Sequence, residues 1–387
     1  MNKLFVIVII VVLIGGGAFV LLDYFKIEVD IEEMFGFGSY EPISYDIPPD
    51  ERLGFLIGPS NKEMREAREL GAGWVRPHPG PFVWGDMQSK EGGSYDFSDT
   101  DKLVKSSYKY GVQILATIWP YAEWDQKSRP NYSDCRVSGR EFVGEFGWYR
   151  CNPHDWTAYE NWVDAIVERY DGDGFGDMKD LNNPIKYWEV FNEPDLQQMA
   201  GEGGLQFFVG DPEDYVDLLY YTANAIREAD PDAKVLIAGA AGGDDQFINF
   251  YREVFGKIYT DSRYSDWFDI ANVHCISSGD VDSFNVKPYK ELLDEFGMNK
   301  PIWVTEAEAF VSSDPAAVAT QTKLSTVEAI RLGAEKIFYT SRDFKNKPGG
   351  DGMMPKFQGE GSLVIDDSLD PSEPEEVFRA IMRSVEK

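Results

Sequence analysis

Basic residues, cysteine and histidine are scarce in this sequence. Of 387 residues only 37 are Lys or Arg, against 67 Asp or Glu, and the formal net charge is −30. Nucleic acids and anionic membrane surfaces are bound through basic patches, so this charge argues against both as partners. No glycine-rich phosphate fingerprint follows the first predicted strand, which argues against a dinucleotide-binding fold. The acidity fits a soluble domain with a neutral or cationic ligand, or it serves solubility alone.

Cysteine occurs only three times, which limits the disulfides that the chain can form. Cys135 and Cys151 lie in one long predicted loop, and an exported protein is permitted a bridge between them. The alternative is two reduced thiols. Cys275 ends an apolar run, so we expect it to be a buried thiol outside any disulfide.

A long uncharged run opens the chain. The nineteen residues from Leu4 to Leu22 carry no charge, and at about 1.5 Å per residue a helix of that length just spans the hydrocarbon core of a bilayer. Lys3 precedes the run and Asp23 follows it, which predicts a membrane anchor with the rest of the chain outside the cytoplasm. The alternative is a cleaved signal peptide, for which the glycines at 15–17 supply small residues. Both alternatives export the domain.

Three segments follow from these patterns. Residues 1–22 are the predicted signal-anchor or signal peptide. Residues 23–50 are a predicted linker, because 27–50 contain acidic residues and prolines but no Lys or Arg. Residues 51–387 are one predicted domain, and its length is ordinary for a barrel of strand–helix units with inserted loops.

Short apolar runs alternate with helical patterns in residues 51–387, which predicts a parallel sheet with crossover helices. Strands are predicted at 53–58, 74–78, 113–119, 186–192, 234–238, 268–274, 302–306 and 336–339. Helices are predicted at 61–70, 99–110, 155–170, 212–229, 282–296, 315–332 and 373–385. The predicted fold class is therefore α/β, a closed (β/α)8 TIM barrel preceded by an N-terminal transmembrane segment, rather than an open doubly wound sheet.

Two predicted strands end in carboxylates. The fourth strand runs into WEVFNEP at 188–194, and the seventh ends with WVTE at 303–306. Chemistry in a TIM barrel takes place at the carboxyl ends of the strands. Opposed strands can place two carboxyl groups across the barrel mouth, and hydrolysis of a glycosidic bond needs two such groups flanking it.

These motifs resemble those of the clan-A glycoside hydrolases, most of all the family 39 β-xylosidase and family 5 endoglucanase side of that clan. In this superfamily the acid/base follows Asn at the end of strand four, and the nucleophile ends strand seven. The runs FSD at 97–99, QILATIWP at 113–120 and ADPDAKV at 229–235 also look typical. The resemblance covers about residues 51–387.

The resemblance implies a role for each matching residue. Glu193 would be the acid/base, and Glu306 the nucleophile, of a retaining β-glycosidase. Asn192 would hydrogen-bond the sugar 2-hydroxyl. Arg76 would keep Glu306 ionised, because a nearby cation favours the charged carboxylate. His274 would line the same pocket.

Alternatives for these roles stay open. Arg76 could be only a structural partner of Glu189, and His274 could be a core histidine with its hydrogen bonds satisfied. Glu308 has the same strand parity as Glu306 and is the rival nucleophile. We prefer Glu306 because it lies nearer the predicted strand end.

Aromatic side chains after the predicted strands offer faces on which sugars stack. Four of them follow strands two and three: Trp84, Trp119, Tyr121 and Trp124. We expect Trp119 to bind substrate, with ordinary packing as the alternative.

The sequence departs from the clan pattern at two positions. The clan often has a Tyr two residues after the strand-six His, where this chain has Ile276. It often has a Trp at the end of strand eight, where this chain has Tyr339, and we expect Tyr339 to take the substrate-binding position.

An acidic turn at 171–177 resembles a calcium loop, with Asp171, Asp173 and Asp177 as possible ligands. The EF-hand spacing fails, since Phe175 stands where an acid is needed and no Glu closes the loop. A structural calcium ion and a solvated acidic turn are therefore both open, and the chemistry itself requires no cofactor.

The predicted function is double-displacement hydrolysis of a β-linked glucan, xylan or related carbohydrate. The alternative from another class is a catalytically silent, membrane-tethered carbohydrate-binding barrel. An inverting hydrolase is the third possibility, and the spacing of the two carboxyl groups would separate it from a retaining one. No protein partner is evident from the sequence.

Overall fold

The computed structural model describes residues 10–14, 17–21, 42–45, 48–58, 61–137, 146–197, 206–261, 267–276, 278–309 and 315–340. The chain divides into two compact units, Met1–Tyr40 and Glu41–Lys387. The last predicted helix, at 373–385, lies outside the described residues.

The first unit contains a pair of antiparallel strands, Ile10–Ile14 and Gly17–Leu21, in which Ile10 pairs with Leu21 and Ile14 with Gly17. These residues lie in the range 4–22 for which the sequence predicts a transmembrane helix, and the structure describes them as strands. The β-branched Ile and Val of the first strand favour extended backbone, and Gly17 weakens a helix. None of the described helices is long and apolar enough to cross a membrane.

The second unit alternates strands with helices. The strands are β1 (Asp50–Ile57), β2 (Ala72–Pro77), β3 (Gln113–Ile118), β4 (Tyr187–Val190), β5 (Lys234–Ile237), β6 (Ala271–Ile276), β7 (Ile302–Glu308) and β8 (Ala334–Tyr339). The main helices are α1 (Asn61–Glu69), α2 (Ser98–Tyr110), α3 (Trp156–Tyr170), α4 (Pro212–Ala229), α5 (Asp245–Thr260), α6 (Val286–Glu295) and α7 (Pro315–Arg331). Shorter helices span Trp84–Met87, Glu123–Ser128, Tyr132–Cys135 and Val281–Ser283.

All eight strands are parallel and form one sheet in the order β5-β4-β3-β2-β1-β8-β7-β6. The two ends of that order meet, because isolated parallel bridges join Leu236 to Ile270 and Ala240 to Val273. The sheet therefore curls into a nearly closed barrel, and the predicted eight-stranded parallel barrel is confirmed.

Helix α5 was missed by the sequence prediction, although its pattern is amphipathic. Its buried face repeats at helical spacing, with Phe247, Ile248, Tyr251, Val254, Phe255 and Ile258. The apolar residues are largely aromatic or β-branched, which have only moderate helix propensity, and this obscured the periodicity.

Helix α4 was predicted with its correct bounds, and its start has a clear local cause. The Asp211 carboxylate accepts hydrogen bonds from the backbone N–H groups of Glu213 and Asp214. The Asp214 carboxylate in turn accepts from the Asp211 N–H, which completes a capping box, and Pro212 occupies the first turn. Such a cap stabilises a helix by about 1 kcal/mol.

The barrel interior has an apolar layer below a polar one. The apolar layer contains Trp74, Leu115, Leu236, Ile270, Trp303 and Phe338, with Tyr187 packed against it. The Phe338 ring requires Gly54, since a Cβ there would lie 2.5 Å from the ring. Side chains along a strand alternate between its two faces. The inward residues one step nearer the carboxyl ends are therefore Arg76, Thr117, Glu189, Asn272 and Thr305.

A disulfide joins Cys135 and Cys151, with Cα atoms 5.1 Å apart, which confirms the predicted bridge. Backbone hydrogen bonds from Arg150 to Cys135 and from Val137 to Trp148 pair the two arms of this loop. Cys275 is a buried thiol, also as predicted.

We expect the double variant Cys135→Ser/Cys151→Ser to lose about 3 kcal/mol of unfolding free energy, because the bridge restricts the unfolded chain over a loop of about 16 residues. Urea denaturation measures this loss. Adding reductant to the wild type should reproduce it, and Cys275→Ser, which keeps the bridge, should respond to reductant as the wild type does. An unchanged denaturation midpoint in the double variant would mean that the bridge contributes no stability.

We expect Arg76→Met to destabilise the barrel by about 3–5 kcal/mol, because it leaves the buried Glu189 carboxylate without its cation. Arg76 and Glu189 are both 0% exposed. The matched control is Arg252→Met, which removes an exposed pair with Glu295 and should cost at most about 1 kcal/mol. Equal losses in the two variants would contradict a structural role for the buried pair.

Candidate active site

Arg76 lies at the centre of the polar layer and is fully buried. Its Nε donates to Glu189 Oε2 at 2.7 Å, its Nη1 to Glu306 Oε1 at 2.8 Å, and its Nη2 to Asn192 Oδ1 at 2.7 Å. The planar guanidinium therefore fixes three side chains from β4, the turn after it, and β7 around one point. Arg76 is therefore a partner both of Glu306 and of Glu189, which the sequence analysis gave as alternatives.

Glu193 follows β4 in a strained turn. Phe191 has φ 77° and Glu193 has φ 45°, in the left-handed region that non-glycine residues rarely adopt. Such positions cost about 1–3 kcal/mol and persist only where the surrounding structure enforces them. The turn brings the Glu193 carboxyl into the barrel mouth, where Oε1 lies 2.8 Å from His274 Nδ1 and the residue is 7% exposed.

Glu306 reaches the same point because β7 is irregular. The pairing of β6 with β7 shifts register between Val273 and His274. As a result the consecutive residues Thr305 and Glu306 both contact interior side chains, which a regular strand does not allow. The irregularity thus adds a carboxylate to the barrel mouth without removing Thr305 from the polar layer.

Glu193, Glu306 and His274 converge at the barrel mouth. One carboxylate oxygen of each glutamate and one ring nitrogen of His274 all lie within 4.8 Å of one another. Three such ligands could also hold a metal ion, but the guanidinium of Arg76 already lies against Glu306 and supplies positive charge there.

Burial sets the protonation states in this site. It raises the pKa of Glu193 to about 7, so most of these carboxyl groups are protonated below that pH. It lowers the pKa of His274 to about 4, so the ring is neutral. Burial also raises the pKa of Glu306, while the positive charge of Arg76 acts in the opposite direction.

His274 fits into the site because its neighbour in the segment after β5 is a glycine. A Cβ on Gly239 would lie 2.0 Å from His274 Nε2, so no other residue leaves room for the ring. The ring nitrogens contact Glu193 on one side and Thr305 Oγ1, at 2.9 Å, on the other. His274 is therefore both a site residue and a buried histidine with its hydrogen bonds satisfied.

Tyr339 does not belong to the site, which corrects the prediction. Its hydroxyl lies 2.8 Å from Thr326 Oγ1 on α7, and its ring packs near Phe55 and Phe284. The reason is strand parity, since Phe338 faces the barrel interior and the next residue faces the helices. The inward residue at this end of β8 is Thr340, whose hydroxyl donates to Glu308 Oε2 at 3.1 Å.

Trp119 lies beside the site but presents no surface to it. The residue is 0% exposed, its indole N–H donates to the Pro79 carbonyl, and one ring face stacks on Phe146 at 4.0 Å. A sugar could stack on Trp119 only after Phe146 moved. Of the other aromatic candidates, Trp84 and Tyr121 are buried, while Trp124 is half-buried. Trp124 lines a cavity of about 430 Å³ with Trp156 and His154.

Sequence reasoning missed several residues of this site. His78 Nδ1 lies 3.9 Å from Glu306 Oε1, and Asp195, 4% exposed, accepts hydrogen bonds from the Ala241 N–H. Asn272 and Thr117 both bond to Glu189. Strand parity could have identified Asn272 and His78, because each lies two residues from a predicted site residue on the same strand or at its end.

The acidic turn at 171–177 brings three carboxylates together. One oxygen each of Asp171, Asp173 and Asp177 lie within 4.8 Å of one another. The Asp177 carboxylate also accepts from the N–H groups of Gly172 and Gly174, which satisfies it without an ion. Calcium binding here stays a prediction. The turn precedes β4, so it lies at the end of the barrel away from the carboxylate pair.

No known family profile matches this sequence, and no curated protein sequence is similar to it. Solved structures are similar in fold. A monomeric β-xylosidase from Caulobacter crescentus CB15 is 17% identical with a TM-score of 0.54, over 77% of this chain and 60% of that one. A family 39 glycoside hydrolase from Bacteroides cellulosilyticus WH2 is 17% identical with a TM-score of 0.53, over 89% and 66%.

A β-galactosidase from Marinomonas ef1 is 14% identical with a TM-score of 0.55, over 87% of this chain and 59% of that one. The chain thus spans about three fifths to two thirds of the length of these proteins. At such low identity the similarity establishes a shared fold. This chain therefore shares the (β/α)8 barrel fold of these proteins, as the alternation of strands and helices in the sequence predicted.

Proposed function

We propose that this protein is a retaining glycoside hydrolase that cleaves a β-linked glucan, xylan or related carbohydrate. The observation that carries the proposal is that one carboxyl oxygen of Glu193 and one of Glu306 lie within 4.8 Å of each other at the carboxyl ends of β4 and β7. Retaining enzymes separate the two carboxyl groups by about 5–5.5 Å, whereas inverting enzymes leave about 6.5–9.5 Å for a water molecule. The shorter spacing favours the retaining mechanism.

In the first step Glu306 attacks the anomeric carbon while Glu193 gives its proton to the leaving oxygen. A new bond forms between the carbon and Glu306 as the glycosidic bond breaks. Glu193 suits the acid role because burial raises its pKa to about 7. Arg76 donates to Glu306 and favours its charged, nucleophilic form.

In the second step water attacks the covalent glycosyl ester. Glu193, now deprotonated, removes a proton from that water, and the Glu306 carboxylate leaves. The negative charge of Glu306 is absent while it is an ester, so the pKa of Glu193 should fall and favour its action as a base. One residue can thus serve as acid and then as base.

Asn192 is the proposed contact for the sugar 2-hydroxyl. Its Oδ1 accepts from Arg76, so its amide nitrogen is left to donate to other groups. The neutral sugar suits the strongly acidic protein, which repels anionic ligands.

We also propose that the barrel works outside the cytoplasm. The Cys135–Cys151 disulfide supports this location, because disulfides persist in oxidising compartments. Attachment to a membrane through the N-terminal segment stays a prediction of the sequence.

We expect Glu306→Gly to abolish turnover of aryl β-glycosides and to recover it with azide, because azide can occupy the space of the missing carboxylate. The product should be a glycosyl azide of inverted configuration, which NMR spectroscopy identifies. The matched variant is Glu308→Gly, which removes the neighbouring buried carboxylate on the same strand. Rescue by azide in Glu308→Gly, and not in Glu306→Gly, would show that Glu308 is the nucleophile.

We expect Glu193→Ala to slow unactivated glycosides far more than dinitrophenyl glycosides, whose departure needs little protonation. With the activated substrate the covalent intermediate should accumulate, because the second step lacks its base, and a burst of phenol should appear. In the wild type, kcat/KM should fall as the pH rises through about 7, where Glu193 loses its proton.

The control for this variant is Asp195→Asn, which removes a second buried carboxyl two residues after Glu193. It should not change the relative rates of the two substrate classes. Equal losses on activated and unactivated substrates in Glu193→Ala, with no burst, would mean that Glu193 is not the acid/base.

A further inference from the structure

A chain of hydrogen bonds runs under the catalytic pair from Glu189 to Glu193. Asn272 Nδ2 donates to Glu189 Oε1 at 2.7 Å, and Thr305 Oγ1 donates to Asn272 Oδ1 at 2.8 Å. Thr305 Oγ1 also lies 2.9 Å from His274 Nε2, and His274 Nδ1 lies 2.8 Å from Glu193 Oε1. All five residues are buried, so water does not compete for these contacts.

The position of each hydrogen in this chain follows from the one before it. The Glu189 carboxylate only accepts, so the Asn272 amide must face it with its NH₂ group. Asn272 Oδ1 then faces Thr305 and can only accept. The single hydroxyl hydrogen of Thr305 is therefore given to Asn272, or to Glu189 Oε1 at 3.3 Å, which is also an acceptor.

This arrangement fixes the tautomer of His274. Thr305 Oγ1 has no hydrogen left for the histidine, so His274 Nε2 must carry the proton and donate it to Thr305. A neutral imidazole has one N–H, which leaves Nδ1 with an unshared pair of electrons. Since Nδ1 lies 2.8 Å from Glu193 Oε1, the hydrogen in that contact must come from Glu193.

We propose that Glu189, Asn272 and Thr305 hold His274 in its Nε2-protonated tautomer, so that His274 Nδ1 accepts a hydrogen bond from the Glu193 carboxyl and keeps Glu193 protonated. The three are positioning residues that act through His274. Loss of the proton from Glu193 would leave a carboxylate facing an unshared electron pair at 2.8 Å, which is unfavourable. The inference rests on the proposed function only in calling Glu193 the acid.

The same contact serves both steps of the reaction. In the first step the leaving oxygen competes with His274 Nδ1 for the Glu193 proton and takes it as the glycosidic bond breaks. In the second step the deprotonated Glu193 carboxylate faces the unprotonated Nδ1 of His274. The repulsion between them raises the affinity of Glu193 for a proton from water. The proton removed from water restores the starting contact.

Other charged groups also face Glu193 and His274. They are Arg76 on β2 and His78 after it, Glu189 on β4 and Asp195 after it, and Glu306 on β7. Burial raises the pKa of Glu193 to about 7 and lowers that of His274 to about 4, so the shared proton belongs to Glu193. A change at Thr305 leaves all of these groups in place and isolates the contribution of the tautomer.

The tautomer can be read directly by ¹⁵N NMR on protein labelled in its histidine rings. The chain has only three histidines, His78, His154 and His274, so His78→Gln and His154→Gln variants assign the spectrum. We expect His274 to have a protonated Nε2 and an unprotonated Nδ1 at pH 6. A proton on Nδ1 in the wild type would overturn the proposal, whatever the enzyme's activity.

The matched variants are Thr305→Val, which removes the hydroxyl at nearly constant shape, and Thr305→Ser, which keeps it. In Thr305→Val the His274 proton should move to Nδ1 and be donated to the Glu193 carboxylate. The pKa of Glu193 should then fall, and the alkaline limb of kcat/KM should shift to lower pH by about one unit, a tenfold change in acidity. Thr305→Ser should keep the wild-type tautomer and pH profile.

The outcomes separate this inference from the proposed function. An unchanged His274 tautomer and an unchanged alkaline limb of kcat/KM in Thr305→Val would refute the control of the tautomer by Thr305, even if the wild type hydrolyses glycosides. If the protein shows the expected His274 tautomer but no glycosidase activity, the inference about the tautomer stands and the proposed function is rejected. If circular dichroism finds Thr305→Val unfolded, the wild-type NMR measurement decides the question alone.

Discussion

The buried guanidinium of Arg76 is the interaction on which the site depends. It donates hydrogen bonds to three side chains and balances the charge of two buried carboxylates in a layer that water does not reach. A buried cation of this kind is tolerated only when its partners are fully arranged around it. Arg76 therefore links the position of Glu306, the orientation of Asn192 and the charge of Glu189. A substitution at one of these residues should alter the geometry of the other two.

The strand–helix rhythm of the sequence predicted the barrel, because buried parallel strands are short apolar runs and the helices between them have polar faces. It also predicted which strand ends carry Glu193 and Glu306. It did not identify Thr305 and Asn272, although alternation along β7 and β6 places both inward, and it did not predict the register shift that brings Glu306 to the barrel mouth, which no local pattern encodes. Tyr339 was predicted to face the barrel interior, but that side of β8 belongs to Phe338. A difference of one residue along a strand turns the side chain to the opposite face, here towards the helices.

Two departures from regular backbone geometry build the site. The left-handed residues after β4 and the register shift in β7 each bring a carboxyl group into the barrel mouth that regular strands would direct elsewhere. Both irregularities cost folding free energy, and both are supported by the apolar layer of large aromatic residues below them. The stability of that lower layer is thus a condition for the geometry of the upper one.

The meeting of β5 and β6 has a consequence for motion. Between these strands the barrel is joined by isolated bridges, whereas each other pair of neighbouring strands is joined by a ladder. One of the backbone bonds across this seam runs from the His274 N–H to the Ala240 carbonyl. Because this seam lacks a ladder, we expect local opening and amide hydrogen exchange to be faster here than along the ladder between β6 and β7. Each such opening would carry His274 away from Glu193, and the frequency of these excursions would limit the fraction of time in which the site is assembled.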